Sequence, residues 1–401
     1  MKHPHSASLA NPAVTIALCF AVAILEGFDI QAIGVSAHKI AKEFGLHPDQ
    51  IGWIFFASNL ALVIGASVGG WLADKVGRKP IFISAVLAFG VATYATIFTF
   101  DFFTLSAARA LAGFGFGAAL PNLMAVAADI SKPERRASTA TAMFCGTPLG
   151  GGMVAVYTQV LPAGHDWRIL FEVGGILPVV LAPLLLLFMR ETSVPGERHV
   201  DNKVNTFRAL FGEGRALTTL LLWLAFFPTL AILYLVLYWL PTLAVAKGLG
   251  AEAAPQASIA FNFASVVGAL FVGRLVDKRG VRWPLTISFA LLVGVIFALS
   301  KTDGLMPILI LSAGLGALLL GANYSLYGVA ASHYPKAIRG TGSGAAVAVG
   351  RVGAIIGPLL PGLLLSAGSS ANEVIKLMAP AAAVAGLAVF AVSFIKPVDH
   401  D

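Results

Sequence analysis

Charge is scarce in this chain. Aspartate, glutamate, lysine and arginine make up 12% of its 401 residues, against about 25% in soluble domains, while 58% of residues are hydrophobic and the mean hydropathy is +0.85. Half the usual charge cannot solvate a globular surface, which argues against a soluble enzyme, a nucleic-acid binder or a disordered chain. Cysteine is almost missing. Cys19 and Cys145 both lie inside apolar runs, so packed free thiols are expected in place of a disulfide framework. The sequence also lacks a metal-spaced His/Cys cluster and a nucleophile elbow. Its one glycine pattern of the dinucleotide kind, Gly113-x-Gly115-x-Gly117, sits inside an apolar run with no preceding strand and no following acid. These absences leave an integral membrane protein that is not an enzyme and needs no resident cofactor.

A membrane-spanning helix takes about 20 predominantly apolar residues. A scan at that length finds twelve runs, at 12–37, 50–73, 80–100, 103–128, 138–161, 167–188, 217–244, 255–276, 283–300, 304–331, 341–367 and 373–395. The first is longer than a signal-peptide core of about 7–15 residues and has no small-residue cleavage pattern, so it is expected to be retained. With the N-terminus taken as one side, nineteen Lys and Arg fall on that side, six on the other, and Arg109 and Arg351 within spans. The positive-inside rule then places both termini in the cytoplasm. The net charge of +7 follows from that topology without an acidic partner.

The longest polar stretch, 190–216, carries charges together with Pro195, Gly196 and Gly212. It reads as a linker between an N-terminal bundle, 1–189, and a C-terminal bundle, 217–401, of six spans each. Internal repetition supports that division. GWLADKVGRK (70–79) matches GRLVDKRGVR (273–282), with Gly70/Gly273, Leu72/Leu275, Asp74/Asp277, Lys75/Lys278 and Gly77/Gly280 at one common offset. The expected fold is all-α, with twelve transmembrane helices in two pseudo-symmetric six-helix bundles.

The segment Gly70-x-Leu72-x-Asp74-Lys75-x-Gly77-Arg78-Lys79 resembles the loop signature of the major facilitator superfamily, solute transporters built of two six-helix halves. Arg109, Gly113, Gly115 and Gly117, followed by Pro121 and Asn122, resemble the arginine and glycine pattern of that superfamily's fourth helix. A narrower likeness lies in Glu26-Gly27-Phe28-Asp29 and in the stretch from Tyr334-Pro335 through Ile338-Arg339-Gly340-Thr341-Gly342 to Gly350-Arg351 and Gly357-Pro358. These are similar to the aromatic acid:proton symporters, in particular the hydroxyphenylpropionate branch, over essentially the whole chain. Most of that family begin the first motif with Asp where this chain has Glu26, which offers the same acid on a longer stem. The resemblance implies a breakable charge cluster that clasps the halves on the cytoplasmic side: Asp74, Arg78 and Lys79, partners near Asp129, Arg135 and Arg136, and Asp277 as the counterpart of Asp74.

An ionisable group at mid-bilayer costs between about 2.5 and more than 10 kcal/mol, so each one needs a partner or a task. Glu26 and Asp29 are spaced i, i+3 on one helical face, and two acids so placed repel unless one binds a proton. That arrangement suits a proton carrier. At 1.5 Å per residue, Asp29 lies roughly 12 Å and Arg109 roughly 9 Å from the same membrane face, so the two can meet. Such a pair is either a static bridge or one broken and remade as the carboxylate takes up a proton. Arg351 lies roughly 15 Å into its span, half of a ~30 Å core, and no acid of the C-terminal half lies at comparable depth. Its planar fork matches a substrate carboxylate, with backbone carbonyls or an acid of the other half as the alternative.

Arg351, Arg109, Asn122, Asn323 and Tyr324 are therefore candidate substrate-binding residues. Asn59, Phe144, Trp223, Phe227, Tyr234, Tyr238, Asn262 and Tyr327 are further candidates for a cavity wall, with packing or lipid contact as the default for any single one. Tyr238 and Trp239 near a span end read as interface anchors, and His333 as a surface group. The leading expectation is a monomeric, proton-coupled importer of small aromatic carboxylates in a bacterial inner membrane, with the proton as coupling ion. An anion exchanger, a non-transporting receptor and a drug efflux pump are the competing readings.

Overall fold

A computed structural model describes residues 12–131, 136–189, 191 and 206–396. Every regular element among them is helical: α1 (Pro12–Phe44), α2 (Pro48–Val76), α3 (Arg78–Ala95), α4 (Phe102–Ile130), α5 (Arg136–Val160), α6 (Arg168–Phe188), α7 (Thr206–Phe211), α8 (Ala216–Ala246), α9 (Pro255–Arg279), α10 (Arg282–Lys301), α11 (Leu305–Ser332), α12 (Arg339–Ile356), α13 (Leu359–Ser366) and α14 (Ala371–Val392). By length and composition, eleven segments among the described residues can cross a membrane, α12 and α13 counting as one. The chain is a multi-pass membrane protein.

The run expected at 138–161 does form a helix, α5, but it is not among those eleven. Thr147, Pro148 and the run Gly150-Gly151-Gly152 dilute its hydropathy. The structure gives two glycines of this helix, Gly146 and Gly150, a reason. A Cβ on Gly146 would overlap the Ala23 side chain, and one on Gly150 the carbonyl oxygen of Ile24; from the other side, Gly27 of α1 abuts the carbonyl of Thr147. Small residues let α1 and α5 approach backbone to backbone, and apolarity is what this contact gives up. Two other boundaries differ from expectation. Helix α1 runs on to Phe44, and the short helix α7 lies within the stretch read as linker. Ala209 and Leu210 of α7 are buried, and Thr219 of α8 donates to the Leu210 carbonyl at 2.7 Å, so this part of the polar stretch is docked.

The chain falls into two compact units. The first comprises Met1–Phe44, Ala57–Tyr157 and Leu161–His199, the second Gly45–Phe56, Thr158–Val160 and Val200–Asp401. Each has the same internal wiring. In the first, α3 packs on α4 and α6, and α1 on α6 and α4; in the second, α10 packs on α11 and α14, and α8 on α14 and α11. Glycine contacts repeat as well. Gly113 and Gly117 bring α4 onto the Ser58 and Leu62 carbonyls of α2, as Gly316 and Gly268 bring α11 and α9 together against Phe261 and Ala317. The sequence repeat has a backbone cause at Gly77 and Gly280, whose φ values are 108° and 76°, a region that side chains disfavour. Both glycines turn the chain directly out of a long helix, α2 and α9 respectively.

Helix starts are set locally. Asp101 caps α4, accepting from the Thr104 backbone N–H at 2.7 Å, and the Thr104 hydroxyl together with that amide holds its carboxyl below the usual carboxylate range. Cys19 and Cys145 are free and buried, as apolar packing requires.

Candidate functional site

In the first unit, α1, α3 and α4 converge on Asp29. Its two carboxylate oxygens meet the two terminal nitrogens of Arg109, Nη1 donating to Oδ1 at 3.0 Å and Nη2 to Oδ2. Thr93 of α3 adds a hydroxyl donor to Oδ1 at 2.8 Å. The aspartate is 4% exposed and the arginine 2%, and the guanidinium carbon lies 5.4 Å from the centre of the Phe171 ring on α6. Taking both charges out of water is costly, and a fork-to-fork pair with an extra hydroxyl is the geometry that offsets it. Glu26, 5% exposed, sits one turn back along α1 and is buried too. The two acids therefore share a buried helical face. Thr93 and Phe171 had no sequence signal, because which face of α3 or α6 turns inward depends on packing.

Asn122 is buried, and its amide donates to the carbonyls of Ala118 at 2.9 Å and Gly69 at 3.5 Å. It stitches α4 to α2 at their glycine-lined contact. At the start of α3, Arg78, which is partly exposed, pairs with the exposed Asp129 of α4. Glu191 joins this cluster unforeseen: its carboxylate accepts from the backbone N–H of Arg78 at 3.1 Å and of Lys79 at 3.1 and 3.3 Å. Lys79 Nζ reaches the Leu186 carbonyl at 2.8 Å. A carboxylate on the first-turn amides of α3 neutralises the positive end of that helix. Asp74 is exposed, as is Asp277 at the end of α9, and Arg135 lies outside the described residues.

In the second unit, α8, α11 and α12 bring a different set together. Arg351 of α12 donates from Nη1 to the Tyr234 hydroxyl of α8 at 2.9 Å. Tyr327 of α11 lies within electrostatic reach of both, and its ring meets Phe226 edge-on at 5.4 Å. A fixed guanidinium thus sits among phenols and an aromatic ring. Tyr234 stood among the candidate wall residues, and the structure makes it a direct partner of Arg351. Asn323, one turn before Tyr327 on α11, is 2% exposed, and Tyr324 is half-buried. Asn262 donates to the Ser258 carbonyl of its own helix at 2.7 Å.

Two expectations are corrected. Neither Tyr238 nor Trp239 is an interface anchor: they are 2% and 1% exposed, and the Trp239 indole donates to the Pro358 carbonyl at 2.7 Å. The helix is interrupted at Gly357-Pro358, between α12 and α13, and the indole satisfies a carbonyl at that break. His333 is not a surface group either; it is buried, with Nδ1 2.8 Å from the Val329 carbonyl.

Comparison with known proteins bears on the whole chain. The Major Facilitator Superfamily model matches residues 19–358 and 256–401. The chain is 40% identical to the 3-(3-hydroxy-phenyl)propionate transporter of Escherichia coli (strain K12) over 96% of its own length and 95% of that protein's. It is 30% identical to the gallate transporter of Pseudomonas putida over 94% and 90%. Among solved structures, the xylose transporter XylE from E. coli in its inward open conformation superposes with a TM-score of 0.76 at 14% identity, covering 97% of both chains.

Proposed function

The chain belongs to the major facilitator superfamily and is a transporter, not an enzyme; from that premise we propose that it imports small aromatic carboxylates together with protons, by alternating access. The observation that carries this reading is Arg351 held by Tyr234 beside Tyr327 and Phe226. A bidentate cation fixed among aromatic side chains suits a ligand with a carboxylate at one end and an aromatic ring at the other. The relatives that transport hydroxyphenylpropionate and gallate, both aromatic acids, support the same class.

The coupling ion is the proton, carried by Glu26 and Asp29, and no cofactor is needed. Proton relays of buried acids are a recognised use of intramembrane carboxylates. Arg109 holds Asp29 between transfers, while Asn122, Asn323 and Tyr324 contribute to the substrate path. Asp74, Arg78, Lys79, Asp129, Arg135 and Asp277 serve as the conformational gate, in which the Arg78–Asp129 pair biases one conformation over another as it breaks and re-forms. The protein works as a monomer in a bacterial inner membrane, its two termini in the cytoplasm, as the excess of Lys and Arg on that side supports.

Uptake into proteoliposomes tests this reading. With the outside acid, an aromatic carboxylate is expected to accumulate, and a protonophore to abolish accumulation. The three bonds that hold Asp29 favour one second reading, in which the acid is a fixed strut and the protein exchanges organic anions. Protonophore-resistant flux that requires an internal anion would decide for exchange.

A further inference from the structure

Asn323 presents a polar group that the fold leaves unanswered. Its side chain is 2% exposed, and Oδ1 is buried without a hydrogen-bond partner among the described residues. A buried acceptor left unpaired costs stability, and most such groups in folded proteins are paired. The neighbouring asparagines behave differently: Asn122 and Asn262 both spend their amides on carbonyls of their own helices.

The position of Asn323 says what it faces. Residues i and i+4 lie on one face of a helix, so Asn323 is on the face of α11 that also carries Tyr327, about 6 Å further along at 1.5 Å per residue. Tyr327 meets Phe226 of α8 and is in electrostatic reach of Arg351 and Tyr234. A ligand whose carboxylate sits at Arg351 and whose ring lies along this face would bring a ring substituent toward Asn323. A hydroxyl is the substituent that fits, since it donates to Oδ1 or, with the amide turned over, accepts from Nδ2.

We propose that Asn323 is the specificity-determining residue for a ring hydroxyl on the transported acid. The inference rests on the aromatic-carboxylate reading above. A site built to hydrogen-bond a hydroxyl rejects the analogue that lacks one, because the buried partner is then stranded.

The test is uptake into proteoliposomes of 3-(3-hydroxyphenyl)propionate and of 3-phenylpropionate, which differ only in the hydroxyl, by the wild type and by Asn323→Leu. The wild type is expected to favour the hydroxylated acid by about tenfold to a hundredfold in kcat/KM, the cost of leaving one buried polar group unpaired. Asn323→Leu should bring the two acids to within about threefold of one another by losing the hydroxylated one. Should the leucine variant fail to reach the membrane as a monodisperse protein, Asn323→Ala, which also removes the polar group, serves in the same comparison. Equal transport of both acids by the wild type, or an unchanged ratio in the variants, overturns the role of Asn323 and leaves the aromatic-carboxylate reading standing. Transport of neither acid by the wild type overturns that reading, and this inference with it.

Discussion

Arg109 and Asp29 engage each other through both nitrogens of one fork and both oxygens of the other, in surroundings closed to water. Removing one partner strands a buried charge, whereas removing both does not. Arg109→Ala is expected to cost about 3–5 kcal/mol of stability, and adding Asp29→Asn to restore a large part of it. Thermal unfolding in detergent reads this directly. A double variant no more stable than Arg109→Ala would mean that the pair is not the unit of stabilisation.

Asp29→Asn alone separates the two uses of that carboxylate. The amide keeps the shape and can still accept from Thr93, but it has no proton to carry. Substrate exchange across the membrane should survive while proton-driven accumulation disappears, as measured by counterflow and by uptake under a pH gradient. Accumulation at the wild-type level would reduce Asp29 to a structural partner of Arg109.

Arg351 and Tyr234 make a graded prediction. Arg351→Ala should lower uptake of every carboxylate substrate at least about a hundredfold, the loss expected when a hydrogen-bonded charge is truncated. Tyr234→Phe removes a single neutral hydroxyl donor-acceptor and should raise KM about three- to tenfold with kcat little changed, since it orients the guanidinium without replacing it. Unchanged uptake in Arg351→Ala, with the protein confirmed in the membrane, would remove this arginine from the site.

Much of this was legible before any coordinates. The Asp29–Arg109 pair followed from counting residues along two antiparallel helices, because depth in a bilayer is nearly fixed by rise per residue. Rotation about a helix axis is not fixed that way, so Thr93 and Phe171 stayed hidden, and Tyr234 could not be told from the other candidate aromatics. Glu191 was hidden for another reason: it belongs to a polar stretch whose composition reads as linker, and only the fold returns it to the start of α3. Trp239 misled because span-end tryptophans usually meet lipid headgroups, whereas here the break at Gly357-Pro358 draws the indole inward. Hydropathy undercounts α5 for the same kind of reason, since its glycines answer to a neighbour and not to lipid.

That glycine contact can be tested against an internal control. A side chain at Gly150 would overlap the Ile24 carbonyl, whereas nothing lies within 4 Å of a Cβ on Gly70. Gly150→Leu should therefore push α1 and α5 apart and cost about 1–3 kcal/mol or more, while Gly70→Ala should be close to neutral in folding. Melting temperature and the monodisperse fraction in detergent give the comparison. Equal tolerance at both positions would show that α1 and α5 are free to separate.

Glu191 and Asp129 offer a last contrast, between a cap and a surface ion pair. Glu191 accepts from two backbone amides that the first turn of α3 cannot satisfy internally, and its charge opposes the helix dipole. Asp129 pairs with a half-exposed arginine, where solvent screens most of the attraction. Glu191→Ala should then cost about 0.5–2 kcal/mol, Glu191→Gln less because an acceptor remains, and Asp129→Asn no more than about 1 kcal/mol. High salt should shrink the Asp129 effect while leaving most of the loss in Glu191→Ala, since a hydrogen-bonded cap depends less on long-range attraction than an exposed pair does. If Asp129→Asn proved the more damaging change at every salt concentration, the ion pair and not the carboxylate cap would be what holds this end of α3 in place.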